Sequence, residues 1–424
     1  QLTMIPISIL RDNPDAVKKS LESKGAKINL ELILKLDQDL RSIITKLDGL
    51  RAKKNKVSET IAELKRNGEN PEEDIQAMQT LGTKIDHLES SLQEIKSELN
   101  TQLIDIPNLP DETVPIGKDP SQNRVVREWG KKPDPDKKYQ THLEIGKNLN
   151  ILDMDRGAKI SGSGFPLYLG EGARLERTLI NFMLDHHESS GYTEVFPPFL
   201  TQSSAPMTCG QLPKFADDMY TTEDGNLWLI PTAEVPLTNI HKDEILEEES
   251  LPKYYKAYSA CFRREAGSYG KDTRGLLRVH QFNKVELVKF VLPETSYNEL
   301  ESLTLQAESV LQTLNLHYRV VELCTGDLSF SAAKCYDIEI WAPGENRWLE
   351  VSSCSNFESF QARRGNIRYR RSSDNKVDYL HTLNGSGVAT PRLMVALLET
   401  YQTEDGTVQL PDALISYMGK EVIS

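Results

Sequence analysis

Two runs of apolar residues, spaced alternately by four and three, constrain this chain more than any other feature. The first sets Leu36, Leu40, Ile43, Leu47, Leu50, Val57, Ile61 and Leu64 along one stripe, interrupted by Lys54 in a seam position. The second sets Leu81, Ile85, Leu88, Leu92, Ile95 and Leu99 along another. This is the heptad pattern of coiled-coil helices. Between the runs, Asn67-Gly68 breaks the first helix, and Asn70-Pro71 with Glu72 and Glu73 starts the second. Helices joined by so short a turn fold back as an antiparallel hairpin, each arm roughly 45 Å long at the helical rise. Residues Ile9 to Lys24 read as a short helical cap at its base.

The two arms differ in charge. The first carries Arg41, Lys46, Arg51, Lys53, Lys54, Lys56, Lys65 and Arg66 against Asp48, Glu59 and Glu63, whereas the second is mainly acidic. Two readings fit. Arms of opposite sign attract each other and need no partner; alternatively, the basic edge lies along RNA phosphates, where contacts read shape more than sequence. The net charge of −13 speaks against nucleic-acid binding for the chain as a whole. It does not exclude binding by one basic element.

A chain of 424 residues is too long for one small core, which predicts two domains. The segment from Ile106 to Lys138, rich in Pro, Asp and Gly, reads as a linker. The expected division is therefore 1–104 for the helical arm and 105–424 for the remainder. No apolar run of about 18 residues is present to cross a membrane. The start shows no signal-peptide pattern, and because the chain opens on Gln1, Met4 is a candidate natural start. Five cysteines (209, 261, 324, 335 and 354) are scattered without C-x-x-C spacing. That suits reduced thiols in the cytoplasm rather than a disulfide framework or a structural zinc site.

The remainder is organised around A-Y-S-A-C-F-R-R-E (257–265), a Gly-rich polar loop, and L-L-R-V-H-Q-F-N-K-V-E-L-V-K-F-V (276–291). These read as two strands. Alternation of side chains puts Arg263 and Glu265 on one face of the first, and Arg278, Phe282 and Glu286 on one face of the second. A solvated hairpin with cross-strand charge pairs is the plain alternative, but both strands are too apolar for it. Arginine forks bind phosphate oxygens bidentately and an aromatic ring suits a purine, so the pattern points to a nucleotide site on a sheet.

C-F-R-R-E followed by G-L-L-R-V-H-Q-F-N-K-V-E resembles motif 2 of class II aminoacyl-tRNA synthetases, in the form found in seryl-tRNA synthetases. G-Y-T-E-V-F-P-P-F-L (191–200), after a helical stretch at 173–187, resembles motif 1 with Pro198 as its proline. L-N-G-S-G-V-A-T-P-R-L-M-V-A-L-L-E (383–399) resembles motif 3. There Thr390-Pro391 reads as a helix cap, which puts Arg392 in the first turn where an anion would offset the dipole. A general motif 3 ends G-x-E-R; the serine-specific enzymes share the T-P-R seen here. Two further stretches belong to the resemblance. In W-L-I-P-T-A-E (228–234), Thr232 and Glu234 also suit a cap hydroxyl and a first-turn carboxylate. In W-L-E-V-S-S-C (348–354), Glu350 reads as a buried carboxylate in need of a partner.

The resemblance implies an α+β fold: an antiparallel coiled-coil hairpin followed by a catalytic domain on a mainly antiparallel sheet flanked by helices. It implies a serine–tRNA ligase that forms seryl-adenylate from L-serine and ATP, then charges serine tRNA, with selenocysteine tRNA as an optional second acceptor. ATP contacts would come from Arg263, Arg264, Glu265, Arg278, Val279 and Phe282, from Glu350, Val351, Ser352 and Ser353, and from Arg392. Serine contacts would come from Thr232, Ala233, Glu234, Arg263, Glu286 and Ser386. Arg263, Glu350 and Arg392 would carry catalysis, and Glu350 with Ser353 would hold Mg²⁺. Lys46, Arg51, Lys53, Lys54 and Lys56 would contact tRNA, and motif 1 would form a two-fold homodimer. The basic stretch R-R-G-N-I-R-Y-R-R (363–371) fits a contact with acceptor stem or pyrophosphate and a solvated surface equally. Two rival readings fit parts of the chain: a ligase loading serine onto a carrier protein, which has little use for a basic arm, and a non-catalytic RNA-binding protein, which has little use for Arg263, Glu286 and Arg392.

Overall fold

The first apolar stripe folds as one 38-residue helix, Leu30–Asn67, and the second as a 33-residue helix, Glu72–Ile104. At the helical rise these arms are about 57 and 50 Å long, longer than the seam implies. The excess arises because Leu30 and Ile33 extend the first buried stripe toward the N-terminus and Leu103 extends the second toward the C-terminus. Gly68 ends the first arm with φ at 75°, a left-handed cap that glycine adopts without strain. Arg51 and Glu89 pair across the arms at 2.6 Å. Lys54 in the seam is accommodated because its ammonium lies across Gly82 of the other arm. The expected single helical cap is two short helices, Ile7–Asp12 and Pro14–Ser23, which bury Leu10, Val17 and Leu21.

This computed structural model describes residues 5–266 and 274–424; Met4 and most of the Gly-rich loop, at 267–273, lie outside the described residues. The chain divides into one unit of Gln1–Glu22 with Ala26–Pro107 and a second of Ser23–Gly25 with Asn108–Ser424. Among the described residues no helix is long and apolar enough to cross a membrane. All five cysteines are buried and free.

The second unit is built on an eight-stranded sheet. Its strands in chain order are β1 (Arg124–Trp129), β2 (Thr193–Glu194), β3 (Lys253–Phe262), β4 (Gln281–Val291), β5 (Tyr318–Glu322), β6 (Lys334–Ala342), β7 (Arg347–Asn356) and β8 (His381–Ala389). They lie in the order β1-β5-β6-β7-β8-β4-β3-β2. Each neighbouring pair is antiparallel except β2 with β3. Alternation decides what each face does. On β4 the odd positions Val285 and Leu287 join a core with Leu175, Leu179 and Met183 of helix Gly170–Glu188, Leu303 of helix Ser296–Thr313 and Val395 of helix Thr390–Tyr401. The even positions Val288 and Phe290 join a second cluster on the opposite face with Ala233 and Leu237. That leaves Phe282, Lys284 and Glu286, toward the start of the same strand, free to form a site.

The segment read as a linker contains an element of its own. R-V-V-R-E-W is the edge strand β1, paired with β5. Its charges mask the strand pattern, because edge positions tolerate them. Here they also attach it: Arg124 pairs with the buried Glu322, and Arg127 with the buried Glu308 at 2.6 Å.

Candidate functional site

Arg263, Glu265, Arg278, Phe282, Glu286 and Arg392 border one cavity of about 600 Å³. They come together by a different route from the one strand parity suggests. β3 ends at Phe262, so Arg263 and Glu265 lie in the chain beyond it, and Glu265 has φ at 51°. Arg278 also precedes β4. Loop geometry, rather than pleat, turns these side chains inward. Arg263 is held by a bond from its Nε to the Pro231 carbonyl at 3.4 Å, and its guanidinium carbon stands 5.1 Å from the Phe282 ring centroid. Arg278 bonds Glu265 at 2.5 Å. Arg264, between two inward-facing residues, is exposed and does not line the cavity; its backbone N–H bonds the Asp218 carbonyl.

Arg392 lies near the start of helix Thr390–Tyr401 and donates to the carbonyls of Leu277 at 3.1 Å and Glu350 at 2.8 Å. Burial lowers its pKa from the ordinary value; Glu350 opposes this, while Arg263 and Arg278 add to it. Three guanidinium groups thus converge on one end of the cavity, an environment that favours a polyanion. Thr390 is the first helical residue rather than a cap, since its hydroxyl is turned instead to Glu176 and to the Asn283 carbonyl at 3.1 Å.

The opposite end is arranged for a cation and a hydroxyl. Glu286 is 1% exposed and accepts a bond from Thr232 Oγ1 at 2.8 Å. It pairs with Lys284 and lies opposite Ser386 in the β4–β8 register. Thr232 Oγ1 also accepts from the Glu234 N–H at 3.2 Å, so it serves both helix start and site. Glu234 accepts from Gln361 at 2.6 Å. Burial pushes the Glu234 carboxyl up to about 7, with Glu286 adding to the shift. Ala233 is fully buried behind the site and does not line it.

Glu350, Val351, Ser352 and Ser353 line the cavity as well. Glu350 is not buried: its side chain is 49% exposed and stands 3.8 Å from Arg392. β7 belongs to the sheet but carries Glu350 where the strand borders the open cavity. Residues three apart on a regular strand face opposite sides. The register shift between Glu350 and Ser352 inserts one residue, so Glu350 and Ser353 both line the cavity. Ser353 pairs in register with Asp337 on β6. Burial raises the Asp337 pKa well above the ordinary value, and Glu350 raises it further. Val279, before β4, lines the cavity as well, and Ser352 donates to the Ser386 carbonyl at 2.7 Å.

Sequence reasoning missed Lys284 and Asn384, which line the cavity, Gln361, which bonds Glu234, and Asp337, which lies opposite Ser353. Lys284 and Asn384 carried a signal, since each alternates with a chosen residue on its strand. Gln361, delivered by helix Phe360–Gly365 from elsewhere in the chain, carried none.

Residues 220–401 match the family model of the tRNA synthetase class II core domain (G, H, P, S and T), the class that this antiparallel sheet and its cavity define. Residues 4–110 match the seryl-tRNA synthetase N-terminal domain. A serine–tRNA ligase from Chloroherpeton thalassium is 52% identical over 99% of this chain and 100% of its own. The crystal structure of seryl-tRNA synthetase from Pyrococcus horikoshii complexed with ATP superposes with a TM-score of 0.93 at 38% identity, covering 99% of each chain. The cytoplasmic serine–tRNA ligase from Naegleria fowleri in complex with AMP gives a TM-score of 0.88 at 28% identity, over 97% of this chain and 96% of that one. The chain belongs to the serine–tRNA ligase family, a family of aminoacyl-tRNA ligases.

Proposed function

We propose that this protein activates L-serine with ATP, releasing pyrophosphate, and transfers the seryl group from seryl-adenylate to the 3′ end of serine tRNA. The observation that carries the reading is the polarity of one cavity, with three arginines at one end and Glu234, Glu286 and Thr232 at the other. The first step is attack of the serine carboxylate on the α-phosphorus of ATP. That carboxylate is already ionised, so no protein base is needed, and catalysis is positioning plus charge neutralisation. Arg263 holds the α-phosphate as charge builds, and Arg392 the γ-phosphate. Glu265 reads the adenine amino group, Phe282 stacks on the ring, and Arg278 faces it or the phosphates. Glu286 and Thr232 bind the serine hydroxyl, with Ser386 beside them, and Glu234 takes the ammonium.

The residues present fit a divalent cation: the bulge aims Glu350 and Ser353 into one space, and buried Asp337 adds a carboxyl beside them. Glu350 and Ser353 would hold Mg²⁺ there, and the ion when bound would neutralise charge on phosphate oxygens. Residues 105–424 form the catalytic domain and 1–104 the tRNA-binding arm, through Lys46, Arg51, Lys53 and Lys56, all exposed, and the half-buried Lys54. Helix Gly170–Glu188 and the motif 1 segment, with Phe196 79% exposed, form a two-fold homodimer. The protein works in the cytoplasm.

Charging of a total tRNA pool with each of the twenty amino acids tests the function: serine alone should be esterified, and charging with another amino acid at a comparable rate would overturn the reading. A second expectation concerns pH. An ammonium beside Glu234 stabilises its ionised form and lowers its pKa, so serine binding expels a proton when the free carboxyl is protonated. KM for serine should therefore rise by up to about tenfold per unit as pH falls below about 7, with KM for ATP nearly flat. A serine KM independent of pH between about 5.5 and 8 would contradict the role given to Glu234.

A further inference from the structure

The chain re-enters the site after the motif 2 loop at Arg274–Arg278, and a buried histidine from a distant part of the sequence anchors it there. His142 opens helix His142–Asn148 and is fully buried. Its Nε2 accepts a bond from the Leu276 N–H at 3.2 Å. An N–H can only donate, so Nε2 must present its lone pair and the ring proton sits on Nδ1. That nitrogen lies 3.1 Å from Glu399 Oε1 and 3.4 Å from Glu345 Oε1. Glu399 is fixed in turn: it accepts the His142 N–H at 2.9 Å and the N–H groups of Gly344 and Glu345 at 2.8 and 3.1 Å. Every polar atom of the relay is used. The fit at Gly275 is close as well, for a Cβ there would stand 2.2 Å from His142 Nε2.

We propose that His142, oriented by Glu399, is a positioning residue for the nucleotide end of the cavity. The segment that it holds carries Arg278, and the Leu277 carbonyl next to Leu276 accepts from Arg392 Nε at 3.1 Å. Glu399 and Arg392 also share one helix, so the relay clamps two of the three cavity arginines in one frame. No side chain of the relay faces the serine end. Losing the anchor therefore weakens the grip on ATP and leaves recognition of serine unchanged. This inference rests on the adenylate-forming function proposed above.

The test is serine-dependent ATP–pyrophosphate exchange by the full-length protein and three variants. His142→Asn keeps a donor toward Glu399 but removes the acceptor for Leu276; KM for ATP should rise by about tenfold or more while KM for serine stays within about twofold. His142→Gln carries its side-chain oxygen out to the place of Nε2 and should restore most of the ATP affinity. Gly275→Ala perturbs the same contact from the loop side, through a Cβ driven against the His142 ring on a backbone whose φ of 61° already disfavours alanine, and should reproduce the ATP-specific defect even if His142→Asn fails to fold. Wild-type KM for ATP in Gly275→Ala, or equal increases in both KM values in a folded variant, would overturn the proposal. Absence of exchange in the wild-type protein would instead overturn the underlying function.

Discussion

Glu286→Ala should lower serine-dependent ATP–pyrophosphate exchange by about 10³ or more while ATP binding persists. The magnitude follows from where the carboxylate stands. It is almost wholly buried, accepts the Thr232 hydroxyl at 2.8 Å, and pairs with Lys284. A polar pocket that hydrogen-bonds a substrate hydroxyl loses its discrimination when a partner is removed, because the remaining groups are left unpaired. Alanine also strands the Lys284 ammonium, whose side chain is 9% exposed. Breaking a buried pair in this way costs about 3–5 kcal/mol. Glu286→Gln separates the two effects: it keeps the volume and an acceptor for Thr232, so it should be more stable than the alanine variant yet still deficient in serine activation. Exchange within about tenfold of wild type in Glu286→Ala would remove Glu286 from the serine site. The phosphate end is built from other residues, so ATP should still protect both variants against thermal unfolding.

The second large effect separates the two chemical steps. Replacing Lys46, Arg51, Lys53 and Lys56 together by glutamine should leave exchange unchanged and reduce tRNA charging by about a hundredfold. All four side chains are exposed on one arm, whereas Lys54 is half-buried over Gly82 and is expected to add little. Each lost phosphate contact should also flatten the dependence of log affinity on log salt by about one. Arg51 forms an exposed pair with Glu89, worth up to about 1 kcal/mol to the hairpin. Circular dichroism of the variant should therefore show an unchanged helix content. Undiminished charging by the quadruple variant would assign the basic edge to holding the hairpin together, the purely structural alternative.

Much of the fold was legible because periodicity is local. The seam from Leu36 to Leu64 needs only its own spacing to declare a helix, and Asn67-Gly68 its own stereochemistry to end it. The edge strand Arg124–Trp129 was not legible: its charges are explained only by Glu322 and Glu308, about 200 residues further on. The site residues of β4 followed from alternation, and Lys284 was available by the same rule. Arg263 and Glu265 line the cavity for a reason other than strand alternation, since both lie beyond the end of the strand.

The sequence alone determined the two heptad helices and the turn between them, the apolar strands on either side of the Gly-rich loop, and the residue types that chemistry requires, because each depends on neighbours within a few positions. Only the tertiary structure decided the bulge that turns Glu350 and Ser353 to one side, the outward course of Arg264, and the delivery of Gln361 to Glu234. It also decided the path from Glu399 through His142 to Leu276. Those features depend on register between strands and on buried polar groups finding partners far along the chain. No local pattern encodes either, because the partner of a buried donor is set by packing rather than by sequence distance.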